Sequence, residues 1–262
     1  MDDDAKSTDL LFNQSLEKGL AVLTAFSAQR RTMTLPEVAA ATDITKSSAQ
    51  RMIYTLERLG YVRKHPQTRR YQLTPRVMQL GFNYLAADAL VDVATPFVAE
   101  LARTTGETSN LTEPDGTEMV YVARFVSAKF VPIHMPIGSR IPMYCTASGR
   151  AYLSTLQEEQ AREILGASKR DAHTEHTCTD LEQIASMLRE ARRQGYATNR
   201  EELFLGDMNI AAPIRSAQGQ PLGAVHVVAP TSRWSLAEAE QRLAPAVIEC
   251  ARAISNSMRA IG

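Results

Sequence analysis

Cysteine is scarce: Cys145, Cys178 and Cys250 are three in 262 residues, widely spaced and odd in number. That excludes a secreted disulfide scaffold and favours a reducing compartment. Long apolar runs are missing too. No stretch reaches the ~18 residues needed to span a bilayer, and the acidic opening MDDDAKSTD lacks the apolar core of a signal peptide. The cytoplasm is the expected location, with no membrane partner. Catalytic signatures are absent as well: there is no G-x-G pair, no phosphate loop ending in G-K-[ST], no G-x-S-x-G and no H-E-x-x-H. No catalytic residue, cofactor or bound metal is expected. What remains, 44% hydrophobic and 22% charged with 13 Gly and 12 Pro, is the composition of an ordinary globular protein with room for two domains.

The formal net charge is zero but unevenly spread. Residues 13–87 hold 11 Lys and Arg against 4 Asp and Glu, a net +7, while residues 1–12 carry −3 and residues 88–262 carry −4. A basic block of that kind suits a polyanion, because clustered cations neutralise phosphates and release counterions. The first twelve residues are expected to form an acidic, disordered tail.

Within the basic block, residues 15–28 place Leu16, Leu20, Leu23 and Phe26 at helical spacing, with Ser15 as the expected N-cap. Thr34-Leu35-Pro36-Glu37 spells a capping box with proline in the first turn, opening a short second helix that ends near Asp43. Thr45 caps a third helix running to Leu59, beyond which Gly60 supplies a left-handed position. On a wheel the third helix gathers Ala49, Met52, Ile53, Leu56 and Leu59 on one side. The other side carries Ser47, Gln50, Arg51, Tyr54 and Arg58, with Lys46 and Ser48 in the first turn. Arg and Gln match the paired acceptor and donor–acceptor edges of guanine and adenine, and Ser and Tyr suit phosphates. A period-two hairpin follows about the turn His65-Pro66-Gln67-Thr68, carrying Arg63, Lys64, Arg69 and Arg70 towards a DNA backbone. The order of elements is that of a winged helix-turn-helix binding a double-stranded operator.

Pro75 to Ala87 has apolar residues at helical spacing and reads as a linker helix. The expected division is therefore a DNA-binding domain over 13–74, a linker over 75–88 and a second domain over 89–262. In the second, helices are expected at 89–105, 146–155, 158–165, 180–194 and 235–258. Strands are expected at 107–112, 118–125, 208–215 and 222–229, an α+β pattern. Polar residues stand inside the apolar late strands: His226 in Ala-Val-His-Val-Val, and Asn209 between Met208 and Ile210. Burying them requires a partner, which a ligand pocket can supply. Thr146 and Ser148 open a helix whose free N–H groups could hold a carboxylate. Met135, Met143 and Val228 are expected to cover a ring there. Cys145 reads as a packing cysteine without a nearby base. His173, His176 and Cys178 have zinc-compatible spacing without a second ligand pair, and read as a surface loop. A metal sensor, or an enzyme with an appended DNA-binding module, remains the alternative.

The stretches SLEKGLAVLTAF, TLPEVAAATDITKSSAQRMIYTLERLGYV and RRYQLTPRVMQLG resemble the DNA-binding domain of IclR-type (isocitrate lyase regulator type) bacterial transcription factors. PIGSRIPMYCTASGRAYLS and GYATNREELFLGDMNIAAPI are similar to that family's effector-binding domain, and the former resembles regulators of aromatic-acid and β-ketoadipate catabolism. The resemblance spans about residues 13–258. It implies a GAF-like α+β effector domain, a homodimer or tetramer, and an effector pocket at Thr146, Ala147, Ser148, Asn199, Asn209 and His226. Relatives that bind small keto acids resemble Ser or Cys at the late-strand positions, where this chain has Asn209, His226 and Val228. The expected effector is accordingly a small organic acid, aromatic rather than a short keto acid.

Overall fold

A computed structural model describes residues 11–128 and 133–261. The acidic run expected to be disordered lies, up to residue 10, outside them. The chain divides into two compact units, residues 1–84 and 85–262.

In the first unit α1 (Gln14–Thr24), α2 (Leu35–Ala41) and α3 (Lys46–Arg58) surround a small core of Val22, Phe26, Met33, Val38, Ala49, Ile53 and Leu56. Strands β1 (Val62–Lys64) and β2 (Tyr71–Leu73) form the wing, and Met33 adds a bridge to Tyr71. Two expectations for α1 need correction. Its N-cap is Asn13, two residues before Ser15, and the Asn13 side chain accepts from the amides of Ser15 and Leu16. Its buried side is Val22, Ala25 and Phe26, whereas Leu16 and Leu20 are 61% and 51% exposed. Gly19 lies 3.9 Å from the Met52 sulfur by its missing Cβ, so α1 sits against α3 along that line rather than along the leucines. Leu59 is likewise exposed. A turn of 3-10 helix, Pro75–Val77, leads into α4 (Met78–Ala87), which buries none of its residues.

The second unit is built on a six-stranded sheet of order β5-β4-β3-β8-β7-β6, antiparallel throughout. The strands are β3 (Ser109–Asp115), β4 (Glu118–Phe125), β5 (Arg140–Pro142), β6 (Ala197–Arg200), β7 (Met208–Arg215) and β8 (Pro221–Val228). The short β5 and β6 were not expected. One face is covered by α5 (Ala89–Thr105), α9 (Leu236–Arg242) and α10 (Ala244–Ile261), with Leu90, Val98, Val225, Val227, Ile210 and Val247 in the core between. The other faces α6 (Ala147–Leu153), α7 (Glu158–Ala167) and α8 (Leu181–Gln194), around Tyr121, Ile141, Leu153, Ile184 and Ala224. Pro96 lies inside α5, which runs through it. The single expected helix over 235–258 is two: Pro245 has no N–H for the Gln241 carbonyl, and the chain breaks at Leu243 between α9 and α10.

The first turn of α6 presses on the segment before it. A Cβ on Gly149 would overlap the Met143 backbone. Gly149→Ala should therefore cost about 3 kcal/mol or more in urea denaturation, because backbone rather than a flexible side chain must move. Gly166→Ala in α7, where nothing lies within 4 Å, should be neutral or mildly stabilising. Equal effects would contradict the close approach.

Candidate functional site

The exposed side of α3 is set by local caps. Thr45 accepts the Ser48 amide at 3.2 Å, starting the helix, and Asp43 takes a left-handed conformation (φ 51°) in the turn before it. Ala49, Ile53 and Leu56 then point inward, leaving Lys46, Ser47, Gln50, Arg51, Tyr54 and Arg58 exposed, with Ser48 half-buried. In the wing Arg63 and Arg69 are exposed, and the Lys64 ammonium lies 5.2 Å from the Tyr71 ring centre. Arg70 differs from its expected phosphate-facing role. Its guanidinium donates to Thr32 Oγ1 and the Thr32 carbonyl, each at 2.9 Å, and to Glu37 at 2.7 Å, which ties the wing to the start of α2. Three of its five N–H groups are thus engaged inside the domain.

In the second unit a cavity of about 460 Å³, its open mouth included, lies on the α6 side of the sheet. Strand periodicity puts His226 there: Val225 and Val227 point to α5 and α10, so Ala224, His226 and Val228 must face the opposite way. Register then aligns side chains across strands. Arg124, Asn110, His226 and Ala211 form one cross-strand row, and Val228, Asn209 and Asn199 another. Arg124 reaches this face only through a β-bulge. Leu111 pairs with Ala123 but Thr112 with Tyr121, so Val122 is an extra residue. The phase of β4 shifts by one, and Tyr121 and Arg124, three residues apart, face the cavity together.

Behind the cavity wall the polar row fixes its own hydrogen positions. Arg124 donates to Asn110 Oδ1 at 3.4 Å, which turns the Asn110 amide nitrogen to His226 Nε2 at 3.0 Å. Nε2 must therefore accept, and the ring proton sits on Nδ1, a buried donor without a partner among the described residues. Tyr121 OH lies 3.3 Å from the same Nε2. Burial, with the Arg124 charge adding to it, depresses the His226 pKa to about 3, so the ring is neutral. Burial and the Asp207 charge push the Tyr121 phenol upward. Asp207 accepts from Asn209 Nδ2 at 2.7 Å, yet burial still raises its carboxyl above the ordinary range. Ser148 Oγ is the other buried cavity-lining atom without a partner among the described residues.

Of the residues expected to line a pocket, Met135, Thr146, Ala147, Ser148, Asn199, Asn209, His226 and Val228 surround this cavity. Met143 does not. With Gly149 against its backbone, its side chain turns into the core beside Ile141 and Leu153. The opening of α6 is also less free than expected: the Ala147 amide donates to Asn199 Oδ1 at 3.1 Å and the Gly149 amide to Thr146 Oγ1 at 3.3 Å. Sequence reasoning missed Tyr121, Arg124, Ile133, Ile141, Leu203, Phe204 and Asp207. Arg124, polar within an apolar strand, carried the same signal as His226.

Cys145 is buried, and burial pushes its thiol up to about 12, opposite to what a nucleophile needs. The His173 ring stacks on Tyr144 with centroids 6.2 Å apart, while His176 lies 3.9 Å from Glu175 and Glu201. Among the described residues no three His, Cys, Asp or Glu side chains gather as a metal site, and no helix is long and apolar enough to cross a membrane.

Comparison with known proteins covers both units. Residues 15–66 match the IclR helix-turn-helix domain and residues 82–256 the bacterial transcriptional regulator IclR C-terminal domain. The chain is 32% identical over 248 residues to the Pca regulon regulatory protein of Pseudomonas putida, covering 94% of this chain and 84% of that one. It is 31% identical to the p-hydroxybenzoate hydroxylase transcriptional activator of Acinetobacter baylyi, covering 93% and 90%. A solved transcriptional regulator from Rhodococcus sp. RHA1 superposes with a TM-score of 0.82 at 33% identity, over 96% of this chain and all of the other.

The neutral His226 makes stability depend on pH. In the unfolded chain a histidine is protonated below about 6.5, in the fold only near 3, so the unfolded state binds the extra proton between them. The contribution is complete above pH 6.5 and drains as pH falls. Relative to wild type, His226→Gln should gain about 2 kcal/mol in urea stability between pH 7 and pH 5. A pH-independent difference would show that the ring titrates alike in the native and unfolded chain, so that burial does not depress it.

Proposed function

The chain belongs to the IclR family of bacterial transcriptional regulators, whose DNA-binding mode it shares, and on that footing we propose that a small organic acid in the C-terminal cavity controls its operator affinity. The observation that carries this reading is the cavity itself: His226 Nδ1 and Ser148 Oγ, both buried and unmatched among the described residues, stand among apolar Met135, Ile141, Phe204 and Val228. Polar atoms kept dry without partners are costly unless a ligand satisfies them. An aromatic acid supplies both oxygens and a ring, and the relative named for p-hydroxybenzoate hydroxylase supports that class. A ligand that binds one state of the protein better shifts its population, with reciprocal coupling of about 1–3 kcal/mol to DNA.

In this reading residues 13–74 bind DNA, 75–88 link, and 89–262 sense. Lys46, Ser47, Ser48, Gln50, Arg51, Tyr54 and Arg58 meet the major groove, and Arg63, Lys64 and Arg69 meet the backbone. Two chains act on two half-sites. The wetted Leu16, Leu20, Leu59 and Leu80, which line one groove of the DNA-binding unit, support such pairing.

Arg51→Ala should cost operator binding about 1–3 kcal/mol and relax base preference, whereas Arg69→Ala should weaken all duplexes alike and lower the salt slope by about 1. Anisotropy titrations of the full chain against a selected operator and scrambled duplexes decide it, and identical behaviour of the two variants would refute the assignment of α3. For the cavity, His226→Ala should weaken 4-hydroxybenzoate by about 1–3 kcal/mol in calorimetry while leaving ligand-free DNA affinity unchanged. Equal affinity in both proteins would place the ligand elsewhere.

A further inference from the structure

Two buried carboxylates of this domain are met by arginines: Arg150 holds Glu202 at 2.5 and 2.6 Å, and Arg233 holds Glu107 at 2.6 and 3.2 Å. Arg124, at the cavity, is half-buried and makes no ion pair among the described residues. Of its five N–H groups one goes to Asn110 Oδ1 and one to the Ile133 carbonyl at 3.1 Å, and its guanidinium lies 5.8 Å from the Tyr121 ring centre. Three of these donors have no partner among the described residues. The bulge at Val122 adds a second observation, since it brings Tyr121 to the same face as Arg124.

Across the cavity stands a carboxyl group, Asp207, its pKa raised by burial and lowered in part by the Arg124 charge. Asp207 and Asn209 stand by β7, three strands away from β4 across β3 and β8. Neither end is neutralised by the other through an ion pair.

We propose that the cavity selects organic monoacids, with the ligand carboxylate against Arg124, a neutral hydroxyl at the Asp207–Asn209 end, and a second carboxylate rejected there. This rests on the effector reading above and deepens it. The polarity follows from charge: an anion gains at Arg124, and an acidic carboxylate repels a second one. A hydroxyl can donate to Asp207 and accept from Asn209.

Calorimetry on the full chain with two para-substituted rings tests it: 4-hydroxybenzoate and terephthalate, which carries a carboxylate in place of the hydroxyl. Wild type should bind the first at least tenfold more tightly. Arg124→Gln should lose tenfold or more for 4-hydroxybenzoate, Arg124→Lys less, and Asp207→Asn should narrow the gap between the two ligands. Melting curves and operator affinity of each variant separate a lost contact from a lost fold. If Arg124→Gln binds 4-hydroxybenzoate like wild type while His226→Ala weakens it, the monoacid inference falls and the effector reading stands. Terephthalate bound as tightly as 4-hydroxybenzoate by wild type also overturns the inference. Should neither ring bind wild type, both fall together.

Discussion

The C-terminal unit depends on one buried ion pair. Arg150, 3% exposed, grips both oxygens of Glu202, 9% exposed, and donates from Nε to the Tyr144 carbonyl at 2.9 Å. Glu202 also accepts the Cys178 amide at 3.0 Å. Helix α6, the segment before it, the chain after β6 and the 174–178 loop are thus fastened at a single point. Such a pair is weak evidence for net stability, since desolvating two ions is expensive, but either partner alone would be stranded in the interior. Its structural effect is registration. The start of α6, with Thr146 and Ser148, is held against β6, where Asn199 takes the Ala147 amide.

The two faces of the sheet answer different demands. Towards α5 and α10 the strands present Ile210, Ala212, Val225 and Val227, an uninterrupted aliphatic layer. Towards α6 the same strands present Asn209, Ala211, His226 and Val228, where small and polar side chains leave room and unmet hydrogen bonds. Cohesion comes from the first face and recognition from the second. One alternating strand can serve both because its period is two.

How legible this was depends on how local each cause is. The helix starts at Thr34 and Thr45 were readable because a cap involves three or four neighbours, and His226 was readable because a polar residue in an apolar strand needs a reason. α1 misled because helical spacing reveals an apolar stripe without saying whether core or another surface covers it; Leu16 and Leu20 have the spacing but face outward. Arg70 looked like a phosphate ligand because its partners, Thr32 and Glu37, are more than thirty residues away. Arg124 escaped because alternation along β4 would place it with Val122, away from the cavity. The inserted residue that reverses this shows only in the pairing with β3.

The Asn110, His226 and Tyr121 row has a consequence for what the protein can mistake for a signal. Arg124 orients the Asn110 amide, the amide fixes the imidazole tautomer, and burial keeps imidazole and phenol uncharged around neutral pH. The donors and acceptors of this row therefore stay constant while the acidity around them drifts. A receptor wall built from titrating groups would confuse a change in proton concentration with the arrival of a molecule. This row keeps its hydrogen-bonding pattern as protons come and go.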